Sequence, residues 1–366
     1  MSAFLLFASQ LFAQEKPQYQ LGGALRFNYN YSSWKTGSKN RGGDFGFDVF
    51  RLNAKASYKQ LSLDAEYRFY PESSGGGMLK HGWLGYRFND YNQLQVGLTT
   101  VPFGIQPYTS NSYFFNINYY VGLEDDADMG IKYIYRRNAW EFAAAFFKNS
   151  DEFQFGSDSE SSPSRYAYDI GGRNKEVNQG NAQLIYHFGQ LTNQQIGAST
   201  MLGGLYNLDT EKMGKHAAFA IHYMGEYKGW NLKLQYIYRN ISPNTKEMEA
   251  PTDVEMCAYG GSYYTASRFM VYSASLAYTF RLDKGVLKSI QLYNDFSLMD
   301  KQQAGYVNSA QNITGCLLDI KSVYIYVDYA MGKNHAWLGG NWERSFSDAT
   351  SNAWNARFNI NLGYYF

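Results

Sequence analysis

The chain has 366 residues, a formal net charge of +1, 45% hydrophobic residues and 18% aromatic residues, including 34 Tyr and 25 Phe. The near-neutral charge argues against a nucleic-acid-binding protein, and no apolar run reaches the roughly 18 residues that a membrane-spanning helix requires. Because Tyr is favoured both in strands and at membrane–water interfaces, this composition indicates a β-structure in contact with a bilayer.

Residues 1–13 have the apolar segment and the small-residue cleavage site of a secretory signal, with cleavage expected before Gln14. The basic residues that usually precede such a segment are missing, which suggests that the true start codon lies further upstream. We therefore predict a signal peptide at residues 1–13 and one transmembrane domain at residues 14–366. Sequencing of the mature N-terminus checks this prediction, and a retained Met1 would contradict it.

From Gln18 onward, apolar and polar residues alternate in segments of roughly ten residues, which predicts strands with one apolar and one polar face. Residues 50–58 and 61–69 are two such segments, separated only by Lys59 and Gln60. Short linkers alternate with long ones, such as 150–179, 241–268 and 299–312. The segments number about sixteen, so we predict a transmembrane antiparallel β-barrel with short periplasmic turns and long external loops.

Residues 102–128 interrupt this alternation with an aromatic-rich insert, PFGIQPYTSNSYFFNINYYVGLEDDAD. Structureless inserts of this length are uncommon between paired strands and are usually functional or disordered. The six Tyr and Phe residues between positions 108 and 120 give the insert too much apolar surface for disorder. A barrel of about sixteen strands leaves an aqueous pore, so the insert is expected to fold inward and narrow that pore.

The last segment shows the two faces clearly. Phe358, Ile360, Leu362 and Tyr364 alternate with polar residues, and the chain ends on the aromatic Phe366. Aromatic residues recur at strand ends on the apolar faces, as in the girdles of membrane barrels, and the opposite faces carry more charge than a dry sandwich core could satisfy. A water-soluble sandwich or propeller is therefore disfavoured.

Three stretches of the chain resemble the phosphate-selective porin O and P family, and particularly its members in Bacteroidetes-type bacteria. They are VGLTTVPFGIQPYTSNSYF at 96–114, DDADMGIKY at 125–133 and the terminal NINLGYYF at 359–366. The resemblance implies a trimeric porin of sixteen strands in the outer membrane of a Gram-negative bacterium, surrounded by lipid and lipopolysaccharide. It also implies that the third external loop forms the constriction, and that the terminal strand, with Tyr364 and Phe366, is recognised by the barrel-assembly machinery.

On this basis the insert supplies the expected pore constriction. The constriction residues are predicted to be Tyr108, Tyr113, Phe114, Asn116, Glu124, Asp125, Asp126 and Asp128. The insert contains no Lys or Arg, whereas phosphate-selective members of the family place basic side chains at this point. Passive diffusion of small hydrophilic solutes, with anions or phosphate at most preferred, is the function that the sequence favours.

Any anion preference must then come from the barrel wall. By the alternation, a set of basic residues points into the lumen: Arg26, Arg51, Lys55, Arg68, Arg87, Lys132 and Arg136. Rings of Lys and Arg select for anions, but these side chains could equally pair with acids across neighbouring strands. Both interpretations stay open, because an error of one residue in register moves all the charges of a strand to its other face.

The sequence also allows weaker alternatives. His222 with Glu226 is the one pair to inspect for an outer-membrane hydrolase, and inward aromatic residues at 83, 293, 324 and 326 allow a saccharide-preferring channel. Glu124, Asp125, Asp126 and Asp128 could bind Ca²⁺, but their spacing departs from the EF-hand pattern, and a solvated or arginine-paired acidic cluster is favoured. Cys257 and Cys316 are expected to be unpaired thiols. We predict no cofactor, no metal and no enzymatic activity.

Overall fold

The protein is described here from a computed structural model that covers residues 16–151, 158–189, 193–246 and 251–366. The signal peptide predicted at residues 1–13 lies outside these ranges. Within them the chain is almost entirely β-structure. Its strands are β1 (Gln18–Ser32), β2 (Asp44–Tyr58), β3 (Leu61–Phe69), β4 (Gly77–Asn89), β5 (Asn92–Thr100), β6 (Ala127–Arg137), β7 (Trp140–Asn149), β8 (Asp169–Ile170), β9 (Asn174–Phe188), β10 (Asn193–Asn207), β11 (Lys212–Tyr227), β12 (Trp230–Ser242), β13 (Asp253–Ala258), β14 (Gly261–Ala266), β15 (Arg268–Lys284), β16 (Leu287–Lys301), β17 (Ser309–Ile320), β18 (Val323–Lys333) and β19 (Trp354–Tyr365).

Sixteen of the described strands form one closed antiparallel barrel, and β8, β13 and β14 form a small separate sheet. The barrel closes where β1 pairs with β19. There Gly23 and Phe366 exchange two backbone hydrogen bonds of 2.9 and 3.1 Å. A Cβ atom at position 23 would lie 2.4 Å from the carbonyl oxygen of Arg51, so only glycine fits this closing point. The prediction of a sixteen-stranded antiparallel barrel is confirmed.

The outer and inner faces of the barrel differ in polarity as the alternation predicts. In β19, Tyr364 is 52% exposed on the outside, whereas Asn359 is fully buried on the inside. Exposed Leu, Ile, Phe, Tyr and Trp side chains recur on the outer face of strand after strand. A closed barrel with an apolar exterior is the β-structure that can cross a bilayer, because it leaves no unpaired strand edge.

Long loops leave one end of the barrel and short turns the other. Four of the long loops are L3 (101–126), L4 (150–173), L6 (243–267) and L8 (334–353). The small sheet joins two of them, because β8 belongs to L4 while β13 and β14 belong to L6. Helical segments are short: α1 (Thr36–Arg41), α2 (Ile117–Tyr120) within L3, and single turns at Glu72–Ser74 and Ala336–Leu338. Within the described ranges no helix is both long and apolar enough to span a membrane.

Three details differ from the sequence prediction. The insert predicted at 102–128 is two residues shorter at its end, since Asp128 belongs to β6. The linker expected between 299 and 312 shrinks to residues 302–308, because β16 and β17 extend further than their apolar pattern shows. The inner face is not polar throughout, as described below. The two cysteines are unpaired, as predicted.

Candidate functional site

L3 folds into the lumen and packs against one side of the inner wall. Its apolar residues are buried in a common cluster with parts of L4, L6 and L8 and with inward side chains of β7, β10, β11, β12, β15 and β16. The wall residues of this cluster are Phe147, Met201, Leu205, Ala218, Ala220, Ile237, Ile241, Phe269, Val271 and Met299. The expected inward folding of the third loop is confirmed. Here the inner face of the barrel is apolar because a loop, rather than water, covers it.

Polar side chains of the same wall satisfy the backbone of L3. Asp295 of β16 accepts hydrogen bonds from the backbone nitrogens of Asn111 and Ser112, at 2.9 and 2.7 Å. The side chain of Gln235 accepts one from the nitrogen of Ile105 at 2.7 Å. Lys233 donates to the carbonyl oxygens at positions 108 and 110, at 3.1 and 3.0 Å. A buried loop must pair its backbone groups, and this wall provides the partners.

Gly104 shows how closely the loop and the wall approach each other. Its φ of +62° lies in the left-handed region, and a Cβ atom there would lie 2.6 Å from the side-chain oxygen of Gln235. The backbone nitrogen of Gly104 also donates a hydrogen bond to the Ser199 hydroxyl at 2.9 Å. Glycine is required at this position for both its conformation and its lack of a side chain.

L3 lies between cavities on its two sides. Towards the loop end, a cavity of about 430 Å³ is lined by Tyr113 and Phe114 of L3 and by inward residues of β1, β2, β3 and β19. Towards the turn end, a cavity of about 870 Å³ is lined by Tyr108 and Asn111 of L3 and by residues of β11, β12, β15 and β16. L3 therefore contributes residues to two cavities, one towards each end of the barrel. We call these volumes the outer and the inner cavity.

Three arginines line the outer cavity. Arg26 pairs with Asp48 at 2.9 Å and lies 5.5 Å from the ring centre of Tyr113. Arg68 pairs with Glu66 at 2.6 Å. Arg357 differs from both: its Nε donates to the Ser32 hydroxyl at 3.1 Å and it stacks on aromatic rings. No carboxylate in the described part of the chain forms an ion pair with Arg357, which is partly exposed and lines the cavity.

Lys80 also faces L3, although the alternation does not predict an inward position for it. Its Nζ lies 2.8 Å from Oδ1 of Asp125 and faces the rings of Tyr108 and Tyr166. The strand pairing explains why alternation does not predict this position. β3 and β4 shift register between Glu66 and the next residue, so no residue of β3 lies opposite Lys80 in the ladder. A bulge of this kind turns an additional side chain inward and breaks strict alternation.

The eight residues predicted for the constriction separate into two groups. Tyr108, Tyr113 and Phe114 line the cavities, and Asp125 pairs with Lys80 and accepts a hydrogen bond from Tyr166. The others are buried between the loop and the wall: Asn116, Glu124, Asp126 and Asp128. Their burial argues against a direct contact with permeating solutes. The aromatic residues of L3, rather than most of its acids, face the open volume.

Glu124 and Asn116 have structural contacts within L3. Thr109 donates from both its backbone nitrogen and its hydroxyl to one carboxylate oxygen of Glu124. Asn116 donates to Thr109 and to Ser275 of the wall, each at 3.2 Å. Burial raises the pKa of Glu124 to about 7, although the hydrogen bonds from Thr109 oppose that shift. These two residues hold the loop in shape.

The seven residues of the predicted basic wall all lie on barrel strands, and several pair with acids. Arg51 is 3.8 Å from Glu66 and Lys55 is 3.4 Å from Asp64. Arg136 pairs with Glu141 at 2.7 Å near the turn end. Arg26 and Arg68 line the outer cavity, and Arg87 lines a further cavity of about 500 Å³. Lys132 is buried, and its Nζ lies 2.7 Å from the carbonyl oxygen of Thr100. Cross-strand pairing thus accounts for much of this wall.

A buried acidic cluster lies where L3 ends. Asp126, Asp128 and Asp169 bring one carboxylate oxygen each to within 4.8 Å of one another. Burial, together with the charges of Asp169, Glu176 and Asp151, raises the pKa of Asp126 well above its ordinary range. One member of the cluster, Asp169, belongs to L4, so the cluster lies between L3 and L4.

The residues named for a hydrolase or a saccharide channel make contacts within the barrel. Neither ring nitrogen of His222 has a hydrogen-bond partner among the described residues, and Glu226 instead accepts a hydrogen bond from Asn231 at 3.3 Å. The aromatic residues considered for a saccharide channel are dispersed: Trp83 lines the 500 Å³ cavity, whereas the Tyr293 hydroxyl donates to Asp328 at 2.6 Å.

A closed antiparallel barrel of sixteen strands, with an apolar exterior and a loop folded into its lumen, is a transmembrane barrel of the bacterial outer membrane with the porin architecture. No family model and no curated protein matches the chain. Solved structures do match it at the level of the fold.

One of these structures is described as a porin and another as an outer membrane channel. The anion-selective porin from Comamonas acidovorans matches with a TM-score of 0.64 and 10% identity, covering 96% of this chain and 100% of that one. OmpF of Salmonella typhi, solved with daunomycin, matches with a TM-score of 0.64 and 12% identity, covering 95% and 97%. The outer membrane channel DcaP of Acinetobacter baumannii matches with a TM-score of 0.60 and 11% identity, covering 96% and 97%.

The similarity to these structures establishes the porin fold and reaches no particular porin family. The resemblance to phosphate-selective porins therefore holds only at that coarser level. OmpT of Vibrio cholerae also matches, with a TM-score of 0.58 and 14% identity over 96% of this chain.

Proposed function

We propose that the protein is a porin that allows passive diffusion of small hydrophilic solutes, with a preference for anions. One observation carries the proposal: aromatic residues of L3, folded into the lumen, line both an outer and an inner cavity, of about 430 and 870 Å³. Tyr113 lines the first cavity and Tyr108 the second. The narrow part of the path is then the region around these two rings and the wall that faces them.

The anion preference rests on the charges of the outer cavity. Arg26 and Arg68 are balanced by acids at 2.9 and 2.6 Å, whereas Arg357 pairs with no carboxylate of the described chain and is partly exposed. An unbalanced guanidinium beside a low-dielectric aromatic surface attracts anions more strongly than the same group in bulk water. Inorganic phosphate is one such anion, but no structural feature singles it out.

Conductance in planar lipid bilayers tests the proposal. Folded protein should produce stable conductance steps, and the reversal potential in a KCl gradient should show a higher permeability for Cl⁻ than for K⁺. Folded protein that never conducts would overturn the channel function. A reversal potential of the opposite sign would be consistent with the channel function but would overturn the anion preference. Phosphate and a maltooligosaccharide, added as blockers, compare the two solute classes.

The same function implies partners. We propose that lipid and lipopolysaccharide surround the apolar exterior, that three copies assemble as a homotrimer, and that the barrel-assembly machinery recognises the last strand through Tyr364 and Phe366. Both side chains are exposed on the outer face. Native mass spectrometry of the detergent-extracted protein checks the trimer. Removal of Phe366 should slow assembly in cells, and an unchanged rate would contradict its role.

A further inference from the structure

The buried acidic cluster lies at the junction of L3, L4 and the barrel wall. Asp126 is in L3, Asp128 is the second residue of β6 and Asp169 is in β8 of L4. One carboxylate oxygen of each lies within 4.8 Å of the others. The three residues are 6%, 1% and 2% exposed, so water does not separate their charges as it would at a surface.

The positive charges of this region do not balance its negative ones. Besides the three aspartates, two more acids and two guanidinium groups lie here: Asp151, Glu176, Arg165 and Arg239. Arg165 binds Asp151 and Asp169, and Arg239 lies 3.5 Å from Glu176. Buried charges are normally paired or coordinate a metal. Because five carboxylates lie beside only two guanidinium groups, not every buried carboxylate here can be paired with a positive charge of its own.

A second observation points to a missing ligand. Oδ1 of Asp126 and Oδ1 of Asp128 are buried and have no hydrogen-bond partner in the described chain. The other oxygen of Asp128 accepts a hydrogen bond from the side-chain nitrogen of Gln179 at 3.0 Å. Buried acceptors without donors are rare in folded proteins. Here the unsatisfied acceptors belong to side chains that converge on one point, which is the arrangement that a bound cation requires.

We propose that Asp126, Asp128 and Asp169 bind a divalent cation of the Ca²⁺ type, and that this ion joins the end of L3 to L4. The three converging ligands are carboxylate oxygens, which hard cations prefer, and no His or Cys belongs to the set. Ca²⁺ tolerates the irregular geometry of ligands that come from separate segments. The ion neutralises two of the excess charges and supplies the partner that the two free oxygens lack.

This inference differs from the interpretation of the sequence, which favoured solvated or arginine-paired acids and no metal. Of the four neighbouring acids considered there, Glu124 is held by Thr109 and Asp125 by Lys80. The third ligand comes from L4, and local spacing gives no sign of it. The inference is independent of the proposed diffusion function, because it concerns the attachment of two loops.

Direct binding of Ca²⁺ to the folded barrel tests the proposal. Protein folded in detergent and freed of metal by EDTA and buffer exchange is titrated with Ca²⁺ in a calorimeter, and its unfolding temperature is measured with and without Ca²⁺. We expect one ion per chain and a higher unfolding temperature with the ion. Asp126→Asn and Asp169→Asn, whose folded state is verified by gel mobility before heating, should each weaken binding by at least about tenfold.

Asp209→Asn is the matched control. Asp209 is an exposed acid that pairs with Arg173 at 2.9 Å, so this variant should bind Ca²⁺ as the unaltered protein does. Absence of binding to the folded, unaltered protein at 1 mM Ca²⁺ would overturn the proposal. Equal binding by the two ligand variants would also overturn it. If a variant does not fold, limited proteolysis of unaltered protein with and without Ca²⁺ decides, since the ion should protect L4 from cleavage.

Discussion

The carboxylate of Asp295 lies 2.7 Å from the backbone nitrogen of Ser112, so that a residue of the wall holds a residue of L3 from 183 positions away in the sequence. The same oxygen accepts a second hydrogen bond, from the nitrogen of Asn111 at 2.9 Å. Asp295 is fully buried. Two backbone donors in the middle of the loop therefore depend on one side chain of β16.

Asp295→Ala should loosen this part of L3. The substitution leaves two buried nitrogens without an acceptor, which costs about 2 kcal/mol or more in the free energy of unfolding. A looser loop should increase current fluctuations in single-channel recordings, and urea titration measures the stability. Asp300→Ala is the control, because Asp300 lies on the same strand and its carboxylate accepts from Gln302 rather than from L3. Equal noise in both variants would show that Asp295 does not restrain the loop.

Arg357→Gln should reduce the preference for anions. Removal of one charge about 10 Å from the path changes the energy of a passing ion by about 0.4 kcal/mol in water, which is about a twofold change in relative permeability. Reversal potentials in a KCl gradient measure it. Arg357→Lys keeps the charge and should keep the selectivity, and Arg173→Gln, which alters an arginine that is 40% exposed among the loops, should have no effect. A selectivity that is insensitive to Arg357 would contradict the prediction.

Deletion of residues 110–118 should raise the single-channel conductance severalfold, because it removes the rings of Tyr113 and Phe114 from the outer cavity. The deletion also removes Ile117, which is fully buried against the wall, so it should lower stability as well. The double substitution Tyr113→Ala and Phe114→Ala separates the two effects, since it opens the cavity and retains Ile117. If both proteins fold and conduct like the unaltered one, L3 does not form the constriction.

His335 should make stability depend on pH. Its Nδ1 accepts from the nitrogen of Trp337 at 3.2 Å, and its other ring nitrogen faces the Gln311 oxygen at 3.1 Å. Burial, with the nearby charge of Arg357, lowers the pKa of His335 to about 3. In the unfolded chain the pKa is about 6.5, so the neutral ring stabilises the fold above that pH and the contribution is lost as the pH falls towards 3.

Between pH 7 and pH 5 this effect should reduce the free energy of unfolding by about 2 kcal/mol. Urea titrations of the barrel in lipid vesicles, at both pH values, measure the change. His335→Gln cannot take up the proton, so it should lose about 2 kcal/mol less over the same interval. If the two proteins lose the same amount of stability, His335 does not carry this dependence.

The sequence predicted the barrel because period-2 alternation follows directly from the geometry of a strand with lipid on one side and water on the other. β19 shows this well, with Phe358 and Leu362 outside and Asn359 and Asn361 inside. The alternation is a poorer guide where protein, rather than water, covers the inner face of a strand. In β11 and β12, Phe219 and Ile221 face outward while Ala220 and Ile237 face inward and are buried, so both faces are apolar and the period weakens.

The details of the site were less predictable for two physical reasons. The bulge at Lys80 shifts which side chains face the lumen, and a bulge has no reliable sign in a single sequence. Asp169 joins Asp126 and Asp128 only after L4 has folded over L3, which depends on contacts between distant loops. The aromatic content of L3 was informative, because Tyr113 and Phe114 had to be covered or to line a cavity.

The apolar inner wall has a consequence for how such a pore can change. On this side of the barrel, L3 and the wall strands β10, β11, β12, β15 and β16 form a double layer, with lipid outside and a protein core, rather than water, within. Substitutions in that layer are subject to the close packing of any protein interior. Adjustment of the pore size during evolution or design is therefore confined to the free edge of L3, at Tyr108, Tyr113 and Phe114, and to the opposite strands that are not committed to that core.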